Sequence, residues 1–147
     1  MPSPSGRRRP ATASAAAAEM EGSRLKRRAE GWRPATGRHS IAEIALHHAY
    51  CIRGVRSQIS GQPAESFVLD GEDWFVVNDE KALPWQTIQA TVASQQERLR
   101  SLVAGIETGD LTSKLSEEER FNLVLGITCH AIYHAGQVQL IKRLRDG

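Results

Sequence analysis

Cysteine is scarce: Cys51 and Cys129 are the only two in 147 residues, too few for the disulfide framework of a small secreted domain. Long apolar runs are missing as well, and nothing approaches the roughly 18–20 consecutive apolar residues that a membrane-spanning helix needs. Aromatic residues make up 5% of the chain, and the apolar residues are mostly Ala, Leu, Ile and Val, a composition that leans towards helix. There is no GxGxxG, no phosphate-binding GxxxxGK[ST] loop, no GxSxG elbow and no CxxC pair. Their absence removes the common dinucleotide, nucleotide, hydrolase and dithiol signatures. The length suits one domain with its own core, so folding requires neither a disulfide nor a structural metal.

The formal net charge of +2 conceals an asymmetry. Residues 1–38 hold nine Lys/Arg against three Glu, whereas residues 39–147 hold ten against fourteen Asp/Glu. The body is therefore acidic and the basic character belongs to the N-terminal stretch. That stretch lacks interleaved aromatics, so nucleic acid is not expected as a partner. Residues 1–31 are rich in Pro, Ser, Ala and Arg without apolar periodicity, which predicts a disordered arm ahead of a helical domain at residues 32–147. Glu19 and Glu21 interrupt the only Ala-rich segment, so it makes a poor secretory signal and a cytoplasmic location is expected.

Helix signals dominate the rest. Ser40 with Glu43 three residues on forms a capping box. Ile41, Ile44, Ala45, His48, Cys51, Ile52 and Val55 then recur at helical spacing to about Ile59, and Gly61-Gln62-Pro63 ends the run. Residues 64–82 show no helical period and read as a loop long enough to be functional. Pro84 suits the first turn of a second helix, whose stripe of Ile88, Val92, Gln95 or Gln96, Leu99, Leu102, Val103 and Ile106 reaches about Glu107. Ser116 and Glu119 open a third helix running to about Arg145, with acids at its start and bases at its end. The expectation is an all-α, antiparallel bundle of the four-helix type with three long helices evident.

Four of the five histidines fall in two tight groups, His47 with His48 and His130 with His134. Residues four apart on a helix share a face, with Cβ atoms roughly 5–6 Å apart, so His130 and His134 can reach one divalent ion. His47 or His48 on the first helix could supply a third ligand, leaving positions open for water or substrate. Such a pair can equally be polar packing satisfied by main-chain carbonyls, and periodicity does not choose. Val124, Leu125, Ile127, Ile132, Val138 and Leu140 make the third helix apolar around most of its circumference, predicting deep burial. Cys51 shares the face of His47 and reads as a small hydrophobe more than as a ligand; Cys129 reads as core.

Three segments together resemble the DinB-like superfamily of metal-binding four-helix bundles, which includes bacillithiol-transferase-like and mycothiol-dependent enzymes. They are the run from Arg38 through Leu46-His47-His48-Ala49-Tyr50, the central Asp73-Trp74-Phe75 followed by Trp85, and His130-Ala131-Ile132-Tyr133-His134-Ala135-Gly136-Gln137. The resemblance covers about Trp32 to Leu144. It implies a divalent metal, zinc or nickel, held by His47, His130 and His134, with His48 a non-ligand and Gln137 a supporting residue. It further implies a thiol-dependent transferase of the damage or stress-response type, acting on a low-molecular-weight thiol and a small electrophile, and a homodimer. The alternative is a non-catalytic dimerising module with a structural metal or none. Two departures stand out. The arm occupies the place of the family's first helix, as a replacement or a truncation, and Ala131 stands where close relatives often carry an acid. The loop from Phe67 to Ala82, with Trp74 and Phe75, is expected as a lid over the site.

Overall fold

The computed structural model describes residues 30–79 and 81–147. Three helices account for most of them: α1 (Ile41–Ser60), α2 (Trp85–Glu107) and α3 (Glu117–Asp146). No strand occurs among the described residues, and no helix there is long and apolar enough to cross a membrane. The disordered arm expected at residues 1–31 falls almost wholly outside the described residues, as does any replacement of a first helix.

Local chemistry sets the boundaries. In the α1 capping box, Glu43 N–H donates to Ser40 Oγ at 3.3 Å and Ser40 N–H donates to Glu43 Oε2 at 3.0 Å. Gly61 ends the helix in the left-handed region at φ 67°, its N–H donating to Ser57 O, the αL stop for which glycine carries no Cβ penalty. Ser116 and Glu119 form the same reciprocal box at the start of α3. Helix α2 begins after Pro84 without a side-chain cap.

Helix α1 is the axis of the molecule and packs against both others. On its α2 side Ala42 and Leu46 meet Phe75, Leu83 and Ile88; on its α3 side Ile41 and Ile44 meet Ile141, with Trp32 and Trp74 alongside. The connection between α1 and α2 is fastened at Glu65. Its Oε1 accepts from Arg56 (2.6 Å), Arg98 (3.0 Å) and the buried Gln95 (3.1 Å). Burial alone would raise this carboxyl, but the bonds from Gln95 and Arg56 and the Arg56 charge bring it down to about 2. The sequence left Gln95 and Gln96 open for this place on the stripe of α2; Gln95 is the buried one, and this network is what satisfies it there.

A second fastening has larger consequences. The Glu43 carboxylate is 2% exposed, yet it belongs to a capping box that usually faces water. Besides Ser40, it takes the Arg33 guanidinium and the Val77 N–H at 3.1 Å. One buried acid thus joins the entry segment, the head of α1 and the connection after Trp74.

Helix α3 departs from expectation. Only Ile127, His134 and Ile141 along its 30 residues are buried, while Phe121, Leu125, Ile132, Tyr133, Leu140 and Leu144 are exposed. Cys129, expected in the core, is exposed too. The physical reason is that among the described residues α3 packs mainly on α1, with only its start beside the end of α2; an apolar circumference does not bury a helix without neighbours.

Glu43→Ala should therefore cost about 2–3 kcal/mol, from the lost cap and the stranded Val77 N–H, read as a lower urea midpoint. Burial raises the Glu43 carboxyl, and the bonds from Arg33, Ser40 and Val77 outweigh it, leaving it below the ordinary 4.5. Its contribution should be complete above that value and fade as pH falls through the lowered one. A stability difference between wild type and variant that does not shrink as pH falls through this window would show that the hub adds nothing.

Candidate metal centre

His47 lies one turn beyond Glu43, on the side of α1 that meets α3, and is 7% exposed; His134 is 6% exposed. His130 sits one turn before His134 on the same face of α3 and is half-buried. The three rings converge through one kind of atom. His47 Nε2 lies 3.0 Å from His130 Nε2, which lies 3.0 Å from His134 Nε2. All three donor atoms fall within 4.8 Å of one another.

The opposite nitrogens decide the tautomers. His47 Nδ1 lies 2.9 Å from the Asp73 carbonyl and 3.1 Å from Asp73 Oδ1, closer than the Cys51 thiol at 4.0 Å, and these acceptors favour the proton on Nδ1. His134 Nδ1 donates to Gln137 Oε1 at 2.6 Å, and the Gln137 amide donates onward to the Tyr133 hydroxyl at 3.1 Å. The Nε2 atoms of His47 and His134 are therefore bare lone pairs. His130 can offer at most one proton between them, and its own Nδ1 is 3.0 Å from His48 Nδ1. Nitrogens 3.0 Å apart can both lie about 2.0–2.1 Å from a single ion. This donor set could hold a divalent cation.

Asp73 reaches His47 through a tight turn. Its φ is 63° and the Trp74 N–H donates back to Glu72 O at 2.7 Å, a three-residue turn with a non-glycine residue in the left-handed region. The next ring, Trp74, then lies flat on His47, with centroids 3.9 Å apart and planes 4° apart; His39 stacks on its other face at 3.7 Å. The expected lid thus divides. Trp74 covers a candidate ligand directly, whereas Phe75 turns into the core between α1 and α2.

Electrostatics favour neutral imidazoles. Burial, then the neighbouring histidines, push His48 from the ordinary 6.5 down to about 4. Burial first and nearby rings after it also lower His130 and His134, against the raising effect of Asp73 on the former and of Gln137 on the latter. Cys51 Sγ lies 3.8 Å from His47 Nε2. It groups with His47 and Asp73 rather than with the three-histidine set. Burial and then Asp73 push its thiol up to about 11, so it is not a standing thiolate at neutral pH.

The structure brings His47, His130 and His134 together and puts Gln137 behind His134. Missed were Asp73 as the partner of His47, Trp74 as a stacking partner, and His48 as the neighbour of His130. Asp73-Trp74-Phe75 stood among the segments that carry the resemblance without showing these contacts; for His48 the signal was that residues adjacent on a helix point about 100° apart, so a second imidazole beside the first could meet the rim of the facing pair.

The family model of the DinB superfamily matches residues 11–138. The chain belongs to the DinB superfamily. The match begins within the stretch set apart above as an arm and covers α1, α2 and most of α3. No curated protein and no solved structure matches the chain. In this DinB-superfamily chain the three histidines sit on the first and last described helices, and the connection between α1 and α2 supplies Asp73 and Trp74.

His48→Ala should leave the three histidines in place but weaken divalent-metal affinity about 10–100-fold, the usual effect of losing a ligand's hydrogen-bond partner. Competition against a chromophoric chelator measures this, and unchanged affinity would separate His48 from the centre. Because the His48, His130 and His134 values are lowered, metal should stay bound somewhat below pH 6.5. In chelated protein, stability should fall as pH drops from about 6.5 towards 4, where the unfolded chain takes protons that the folded one refuses.

Proposed function

We propose that this chain holds one divalent cation on His47, His130 and His134 and uses it in thiol-dependent group transfer, with zinc or nickel as the cation the family resemblance implies. The observation that carries the reading is the convergence of three Nε2 atoms, two of them bare lone pairs because their Nδ1 partners are acceptors.

Three neutral imidazoles leave a dication's charge uncompensated, which favours an anionic further ligand, and a thiolate suits zinc or nickel. When bound, the cation supplies Lewis acidity that brings a thiol's ionisation down towards neutral pH. The chain's own residues prepare the place. Asp73, His48 and Gln137 fix the ring orientations, and Trp74 shields one side of His47 from water. The reaction class is substitution: a small thiol gives up its proton to solvent, a sulfur–carbon bond forms to a small electrophile as the carbon–leaving-group bond breaks, and the leaving group departs with that electron pair.

The rival is a closed, structural centre in a non-catalytic module. Cys51 is the residue that could close it. Its grouping with His47 and Asp73, apart from the three-histidine set, favours an open position instead.

Elemental analysis should find one divalent ion per chain, lost in His130→Ala and in His134→Ala with helical circular dichroism retained. Cobalt-substituted protein should then gain sulfur-to-cobalt absorption on addition of a small thiol, and should do so equally in Cys51→Ser. Metal bound equally in wild type and both histidine variants would remove the centre. A cobalt spectrum indifferent to thiol would remove the transferase and leave the structural module.

A further inference from the structure

Outside the three-histidine cluster, a different set of donors meets at the other nitrogen of His47. Residues four apart share a helix face, and Cys51 Sγ stands alongside the His47 ring, 4.0 Å from Nδ1 and 3.8 Å from Nε2. The Asp73 carboxylate reaches the ring from the connection after α1, its Oδ1 3.1 Å from Nδ1. One donor atom from each of these three residues lies within 4.8 Å of the other two. Neither added side chain is committed elsewhere. Among the described residues the thiol has the ring nitrogens as its only polar partners, and no Lys or Arg pairs with Asp73.

We infer that His47 Nδ1, Cys51 Sγ and Asp73 Oδ1 form a second metal site, for a thiophilic divalent cation of the zinc or cadmium class, with the imidazole bridging it to the ion on Nε2. Tetrahedral bonds of about 2.0–2.1 Å to nitrogen, about 2.1 Å to oxygen and about 2.3 Å to sulfur set nitrogen and oxygen about 3.4 Å apart and nitrogen and sulfur about 3.6 Å apart. The observed 3.1 Å and 4.0 Å differ from these by a few tenths of an ångström, which side-chain adjustment covers. Charge gives the two sites different preferences. Three neutral imidazoles leave a dication uncompensated, whereas a thiolate with a carboxylate neutralises one, and the sulfur selects a soft cation. Trp74 lies on a face of the His47 ring and leaves the edge, where both nitrogens sit, to the ions. The Asp73 side chain is 63% exposed, which gives the ion an entry path from solvent.

Binding here exchanges protons for metal. The His47 Nδ1 proton and the Cys51 thiol proton leave to solvent as the nitrogen–metal and sulfur–metal bonds form, two protons for each ion. Burial and then Asp73 push the free thiol up to about 11, so the exchange costs this ion affinity at neutral pH. The three-histidine ion is therefore the one retained in protein as isolated, and the second enters when metal is supplied in excess. The site depends on the placing of His47 and not on the transfer chemistry proposed above.

The test uses the full chain carrying Cys129→Ser, because the exposed Cys129 thiol takes cadmium by itself. Equilibrium dialysis against cadmium should give two ions per chain, with sulfur-to-cadmium absorption. Adding Cys51→Ser should leave one ion and remove the absorption, with helical circular dichroism retained. His130→Ala should instead lose the other ion and keep the absorption, so failure of this site and failure of the three-histidine centre read out separately. Asp73→Asn, which keeps the main-chain carbonyl against His47, should weaken the sulfur-bound ion about 10-fold or more. Where Cys51→Ser does not fold, slower reaction of Cys51 with a thiol reagent in the presence of cadmium serves the same end. Cadmium bound without sulfur absorption, or absorption that survives Cys51→Ser, overturns the site. So does unchanged affinity in Asp73→Asn, or a Cys51 that cadmium leaves equally reactive.

Discussion

The buried carboxylate of Glu43 is the constraint on which the remainder is built. A capping-box acid normally satisfies one N–H at the edge of water, but this one is enclosed and must find enough donors to stay ionised. It finds Arg33 from the entry segment, Ser40 from the cap and Val77 from the connection beyond α1. Pinning Val77 holds the turn just before it, where Asp73 and Trp74 meet His47. Glu43 and His47 share a face of α1 one turn apart, so the hub that anchors the chain also registers the connection against the centre.

The centre itself follows from an accounting of protons. Imidazole has two nitrogens, and a protein sets the role of one by choosing the partner of the other. Here an aspartate, a glutamine and a second histidine occupy the outer nitrogens, leaving the inner ones crowded and electron-rich. Burial, with neighbouring rings, lowers the values of His48, His130 and His134, so relief by protonation is disfavoured and the three inner nitrogens could hold a metal ion.

Helix α3 serves two surfaces with different demands. Its inner side meets α1 through Ile127, His134 and Ile141, while the other presents aliphatic and aromatic residues to solvent. A helix apolar nearly all round is often a buried one. In this chain α3 packs mainly on α1 among the described residues, so the need that its sequence states is met on one side.

Much of the fold was legible before any coordinates, because caps and periodicity are local. Ser40 with Glu43 and Ser116 with Glu119 marked the starts of α1 and α3, Gly61 marked a stop, and the Ile88-to-Ile106 stripe gave the inner face of α2. The His130–His134 pair was visible as an i,i+4 repeat, and the family resemblance favoured His47 over His48. Which way α1 is rotated against α3, and hence that His48 falls behind His130, depends on packing between helices some 80 residues apart. Asp73 lies 26 residues from His47 in a segment without periodicity, and its contact exists only because a left-handed turn and the Glu43 hub carry it there. The exposure of α3 was likewise beyond the sequence, since hydrophobicity states a need for burial without stating whether a neighbour meets it. Local bonding within a few residues determined the helices and the candidate donors. Long-range packing alone decided which donors converge, what stands behind them and which apolar face is left open.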